Sequence, residues 1–145
     1  MQDLPHHYHV NASAEAEGNV TLKADDVPQL VTAPPAEFGG PGDQWSPETL
    51  LVGAVADCFI LTFRAVARAS KLEWSNLDCS AEGVLERVDR VTRFTSITVR
   101  ATLTVAEGTD SAKAQRLMEK SEAACLITRS LLAETHLEAD IIVES

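Results

Sequence analysis

A chain of 145 residues, 45% of them hydrophobic, is long enough to bury one core and too short for two comfortable domains, which predicts a single domain over residues 1–145. A formal net charge of -10 repels phosphate backbones and anionic membrane surfaces, so neither nucleic acid nor membrane is an expected partner. Three cysteines, an odd number, together with an opening MQDLPHHYHV that lacks a basic segment followed by an apolar run, predict a cytoplasmic chain whose thiols start out reduced.

In chain order, Tyr8 to Ala14 and Val20 to Ala24 alternate apolar with polar residues around Glu17-Gly18-Asn19, which predicts a β-hairpin. His6, His7 and His9 could be half of a metal site, but no partner ligands stand at a suitable spacing, and solvated histidines are expected. A short strand at Gln29 to Thr32 is followed by a loop rich in proline and glycine up to Trp45. Its Gly39-Gly40-Pro41-Gly42 run has neither the preceding strand nor the lysine of a phosphate-binding loop.

The organising stretch is Ser46 to Ser70. Ser46 is a good N-cap, Pro47 suits the first helical position, and Glu48 sets negative charge on the positive end of the helix dipole. From Leu50 to Ala69 almost every position is apolar or small, which predicts a core helix wrapped on most sides. Asp57, Arg64 and Arg68 argue against a membrane span. Cys58 lies mid-helix between Asp57 and Phe59.

Leu77 to Arg87 and Arg93 to Val105 then read as paired strands joined through Val88 to Thr92, with Ile97, Val99, Ala101, Leu103 and Val105 on the core face of the second. Asp110 or Ser111 caps a helix to about Ala123, in which Ala114, Leu117, Met118 and Ser121 share a face. Cys125 stands at the entry to a shorter helical run, LITRSLLAET, and Leu137 to Val143 forms a last strand. Strands, long helix, strands, helices and strand make an α+β class. So apolar a helix is hard to cover within one such chain, and a symmetric homodimer that packs two of these helices together is expected.

The run Trp45-Ser46-Pro47-Glu48-Thr49-Leu50-Leu51, then Ala54, Ala56 and Cys58-Phe59, with Cys125 following 67 positions later, resembles the OsmC/Ohr family, and the element order matches across almost the whole chain. The resemblance implies an OsmC-like intertwined dimer with two small antiparallel sheets around long buried central helices. It further implies a thiol-dependent peroxidase for organic hydroperoxides, in an antioxidant stress response, needing no cofactor and no metal. A dithiol reductant, lipoyl or thioredoxin-like, is implied as partner. Carried over by position, Cys58 matches the peroxidatic thiol, Cys125 the resolving thiol and Glu48 the carboxylate of the Pro-Glu pair. Cys79 matches neither thiol and is expected to be structural.

Such chemistry needs a thiolate that attacks the O–O bond and a second thiol that condenses with the sulfenic acid formed. Mid-helix and in apolar surroundings, Cys58 should have a raised pKa unless a cation or a hydrogen-bond donor compensates. Peroxidase branches of the family supply an arginine from the N-terminal strands, whereas this chain has no arginine before Arg64. Lys23, one of the N-terminal histidines, or Arg64, Arg68, Arg87, Arg90 or Arg93 could substitute. Glu48 precedes Cys58 by ten residues, about 15 Å along one helix, so within one subunit the two cannot touch. Glu48 then reaches a Cys58 site from the partner chain or through a bridging cation, or serves only the helix dipole. Phe38, Trp45, Phe59 and Phe63 are the expected apolar lining of a pocket beside Cys58. A second reading stands next to the enzyme: a non-peroxidase relative using the same dimer scaffold as a small-molecule binding protein.

Overall fold

A computed structural model describes residues 2–145, which fall into two compact units, one ending at Leu50 and the other Leu51–Ser145. The first unit holds a three-stranded antiparallel sheet of β1 (Asn11–Ser13), β2 (Val20–Lys23) and β3 (Leu30–Thr32), in that order. A 3-10 turn at Ala36–Phe38 follows, and Gly39 ends it at φ 84°, a left-handed geometry that glycine adopts without steric cost. Trp45 returns to the sheet edge, where its carbonyl accepts from Ala33 N at 2.9 Å.

Helix α1 spans Pro47–Ala69. Its start is fixed by a reciprocal pair: Thr49 N donates to Ser46 Oγ at 3.1 Å and Ser46 N donates to Thr49 Oγ1 at 2.9 Å. This is a capping box with threonine in the place usually held by glutamate or glutamine, satisfying two helix-end groups at once. Ser46 is 1% exposed, so no water replaces these bonds.

In the second unit β4 (Asn76–Val88) and β5 (Val91–Ala106) pair antiparallel, and β6 (Glu134–Glu144) adds to the other side of β5. Val88 pairs with Val91 across Asp89 and Arg90, whose φ values of 51° and 69° fit the two-residue hairpin turn that matches strand twist. Helices α2 (Ser111–Ala124) and α3 (Leu126–Arg129) lie between β5 and β6 in sequence. Of the two possible caps for α2, Asp110 is the one used: its Oδ1 accepts from Lys113 N at 3.1 Å.

The core forms where three periodicities meet. Val55, Phe59, Phe63 and Ala67 repeat every four residues on α1; Ile97, Val99, Ala101, Leu103 and Val105 alternate on β5; Ala114, Leu117 and Met118 face them from α2. Trp74 lies edge-on to Phe63 with ring centroids 5.4 Å apart. Gly83 on β4 marks a close approach, since a Cβ there would stand 2.8 Å from Val52 Cγ2 and 2.9 Å from Phe94 Cε1. On the opposite sheet face Arg100 ties the strands together, with Nε 2.6 Å from Glu138 Oε2 and Nη2 3.8 Å from Glu82 Oε1.

The α+β class with two small sheets is as the sequence led us to expect, and three details differ. The second sheet is mixed rather than antiparallel, because β6 runs parallel to β5. The helical segment between them returns the chain to the starting end of β5, the connection that parallel strands require. The helical run after Cys125 stops at Arg129, and the strand starts at Glu134 rather than Leu137. From Leu131 to Ile141 half-buried and exposed residues alternate strictly, a period-two pattern that overrides the helix-forming leucines and alanine. Finally, only one stripe of α1 is buried: of its 23 residues, Val55, Phe59, Phe63 and Ala67 are buried within the chain. The expectation of a helix wrapped on most sides does not hold for a single copy.

Candidate active site at Cys58

The geometry of α1 decides what surrounds Cys58. At about 100° per residue, Ala54, Asp57, Cys58, Leu61, Thr62 and Ala65 fall in one stripe, roughly 150° round the helix from the Phe59 and Phe63 stripe. That stripe, with Ala124, Leu126 and Ile127 from the α2–α3 junction, lines a cavity of about 580 Å³. Phe59 and Phe63 therefore do not line it. Both are buried in the core, one and five positions from Cys58, on the other side of the helix. Leu61, Leu126 and Ile127 supply the apolar wall in their place. Phe38 and Trp45 belong to the first unit, where they are 60% and 52% exposed.

Cys125 is brought to Cys58 by the break between two helices. It has extended backbone geometry (φ -62°, ψ 110°) and serves both as C-cap of α2 and as N-cap of α3. The junction is well tied: Cys125 N donates to Glu122 O at 3.3 Å, Thr128 Oγ1 donates to Cys125 O at 3.1 Å, and Arg129 Nη1 donates to Ala123 O at 3.0 Å. Cys125 is 1% exposed, whereas Cys58 is half-buried and opens on the cavity. Cys125 is flanked by Ala124, Leu126 and Ile127, which share the cavity lining with Cys58, and both cysteines are free thiols.

Burial pushes the Cys58 thiol up, and hydrogen bonds more than offset it. The backbone N–H of Ile127, the Cys125 thiol, the Thr62 hydroxyl at 3.8 Å and the backbone N–H of Leu126 all favour the thiolate, leaving its pKa below the ordinary 9.0. Hydrogen-bond donors, and not a cation, are the compensation that the apolar setting demands. None of Arg64, Arg68, Arg87, Arg90 or Arg93 lines the cavity. Lys23 is exposed on β2, and His6 Nε2 bonds to Gln2 O at 2.9 Å. Sequence reasoning missed Thr62 and the two backbone donors. Thr62 was accessible as the residue at i+4 from Cys58, but the donors depend on a tertiary contact that no local pattern carries.

Glu48 sits in the first turn of α1, partly buried, with Oε1 lacking a hydrogen-bond partner. Cys79, on β4, packs against the core, and burial, the neighbouring Asp78 and Cys125 push its thiol up to about 11. Among the described residues no group of three or more His, Cys, Asp or Glu could hold a metal ion.

Two small sheets, one long helix, and a mid-helix thiol that opens on a cavity beside the helix break holding a second, buried cysteine define a class of α+β proteins. The sequence profile of OsmC-like proteins matches residues 40–140, and the chain belongs to that family. An uncharacterized Bacillus subtilis protein, YmaD, is 28% identical over 144 residues, covering 96% of this chain and 95% of its own. Among solved structures, an OsmC-like protein of unknown function from Vibrio cholerae superposes with a TM-score of 0.83 at 14% identity, covering 93% of this chain and 99% of the other. Organic hydroperoxide resistance proteins from Elizabethkingia anophelis (TM-score 0.78, 17% identity, 99% and 100% covered) and Legionella pneumophila (0.75, 21%, 97% and 99%) share the same fold.

Proposed function

We propose that this protein is a thiol peroxidase that reduces organic hydroperoxides through Cys58 and Cys125. The observation that carries this reading is that half-buried Cys58 opens on an apolar cavity, held toward thiolate by hydrogen-bond donors, and that the facing wall of that cavity, Ala124, Leu126 and Ile127, brackets Cys125. The names of the hydroperoxide resistance proteins that share the fold support it.

In the reaction, the Cys58 thiolate attacks the peroxide O–O bond. An S–O bond forms, the O–O bond breaks, and the alkoxide leaves with a proton as the alcohol. The Cys125 thiol then attacks the Cys58 sulfenic acid, an S–S bond forms, and water leaves. An external dithiol of lipoyl or thioredoxin type returns the disulfide to two thiols. Glu48, with a carboxylate oxygen lacking a partner, is proposed to complete the site from the second copy of a homodimer. The working unit is one OsmC-like domain over residues 1–145, acting in the cytoplasm as part of a peroxide stress response.

The second reading, a binding protein on the same scaffold, draws on the absence of any arginine before Arg64. Ile127 and Leu126 offer the thiolate donors that this arginine would otherwise supply. The two readings separate in a consumption assay with an organic hydroperoxide and dihydrolipoamide. The peroxidase consumes many equivalents, and Cys58→Ser consumes none. A wild-type protein that binds but never consumes peroxide selects the binding protein. Because the cavity wall is aliphatic, a bulky organic hydroperoxide should react faster than hydrogen peroxide, and equal rates would count against the cavity as the substrate site.

A further inference from the structure

The break that carries Cys125 is bridged by a side chain. Arg129, at the end of α3, reaches back six residues and donates from Nη1 to the Ala123 carbonyl at 3.0 Å. Ala123 stands in the last turn of α2, where carbonyls lack a partner within the helix, and α2 has no basic residue of its own in that turn. Arg129 supplies both the missing donor and the missing positive charge from the far side of Cys125. The neighbouring bonds stop on Cys125 or stay within one helix: Thr128 Oγ1 and Arg129 N both donate to the Cys125 carbonyl at 3.1 Å, and Ser130 Oγ donates to Leu126 O at 2.8 Å. The segment that the Arg129 bond closes holds Cys125 and the three residues, Ala124, Leu126 and Ile127, that share the cavity with Cys58.

We propose that Arg129 is a positioning residue for disulfide closure: by bracing the junction it keeps Cys125 poised toward Cys58 and so protects the Cys58 sulfenic acid from a second peroxide. The proposal rests on the peroxidase reading and adds to it what decides between two fates of the intermediate. In one, the Cys125 thiol attacks the sulfenic sulfur, an S–S bond forms and water leaves. In the other, a second hydroperoxide transfers an oxygen to that sulfur, its O–O bond breaks, the alcohol leaves and sulfinic acid remains. Closure is intramolecular, and its rate falls as Cys125 samples more orientations, whereas over-oxidation follows the peroxide concentration and gains nothing from order at the junction. Arg129 is not part of the cavity lining and acts through the backbone of the segment it closes, with a bond made inside one chain that needs no residue of a second copy.

The test is a single turnover without reductant, in which reduced protein meets increasing cumene hydroperoxide and intact mass counts two products: disulfide, with two hydrogens lost, and sulfinic acid, with two oxygens gained. The readout is the peroxide concentration at which the products are equal. It equals the ratio of the closure rate to the over-oxidation rate constant and does not contain the rate of the first attack. Arg129 is exposed, so replacing it leaves the core intact. Arg129→Gln should lower the equal-product concentration about five- to tenfold. Arg129→Lys keeps one cationic donor, all that a single carbonyl uses, and should stay within about twofold of wild type. Ser130→Ala removes a bond that does not cross the break and should leave the concentration where it is. If Arg129→Gln matches wild type, if Arg129→Lys falls as far as Arg129→Gln, or if Ser130→Ala does, this inference fails while the peroxidase reading stands. If wild type yields neither product, the peroxidase reading fails and takes the inference with it.

Discussion

At Cys58 two physical effects oppose each other, and the winner is set by residues nearly seventy positions away. An apolar helix interior favours the neutral thiol, while donors from Ile127, Cys125, Thr62 and Leu126 favour the thiolate and prevail. Cys79 has no such donors, and burial followed by the charge of Asp78 holds it as a thiol up to about pH 11. Thiolates alkylate and thiols do not, so the three cysteines are expected to react with iodoacetamide in a set order. Cys58 should label with an inflection below pH 9.0, and Cys79 only as the pH climbs toward its much higher value. Peptide mapping after a pH series checks this, and equal labelling of Cys58 and Cys79 at pH 7 would remove the case for an activated Cys58. Replacing Thr62 by valine deletes one donor and should move the Cys58 inflection upward, while Cys79→Ser should leave it where it is.

Among the elements, α1 is the one whose two faces do different work. Phe59 fills the core, so Phe59→Ala should cost about 3–5 kcal/mol of stability, measured by denaturant unfolding. At its start, Ser46→Ala removes a buried cap and should cost about 1 kcal/mol, with no change in denaturant slope. Much at this scale was legible beforehand. The Ser46 cap, the alternating core face of β5 and the four buried residues of α2 can be read directly from spacing. The cavity lining is less legible, because aromatic bulk suggests Phe59 and Phe63 while helical angle decides: Phe59 adjoins Cys58 in sequence and points into the core. The end of the chain was mixed for another reason. Leu131 to Ile141 carries both helix-forming residue types and a period of two, and pairing with β5 decides between them. What could not be read at all is the contact between the α2–α3 junction and Cys58, since it is tertiary.

Taken as a whole, the molecule leaves a long apolar helix only partly covered by its own chain. Helix α1 is long and apolar enough to cross a membrane, with a mean hydropathy of 1.9, yet it contributes Val55, Phe59, Phe63 and Ala67 to a packed core. Its remaining surface includes Leu61 at 51% exposure. Covering such a face in a second copy is the simplest way to remove it from water, and we propose a homodimer through α1 on that ground. Sedimentation equilibrium at micromolar concentration should return twice the chain mass. A folded monomer there would contradict the dimer and, with it, the placing of Glu48 in the partner's site.

The central claim is the division of labour between the two thiols, and intact-mass spectrometry during titration with cumene hydroperoxide reads it most directly. In the proposed order Cys58, which opens on the cavity, attacks the peroxide, and Cys125, buried at a helix junction, then closes the disulfide through a small backbone adjustment. One equivalent of peroxide should therefore remove two hydrogens from the wild type. Cys125→Ser should gain one oxygen and then a second with excess peroxide, as sulfenic acid passes to sulfinic. Cys58→Ser should keep its mass. A wild type that neither loses hydrogen nor gains oxygen, or a Cys58→Ser protein that still forms an intramolecular disulfide with peroxide, would contradict the account.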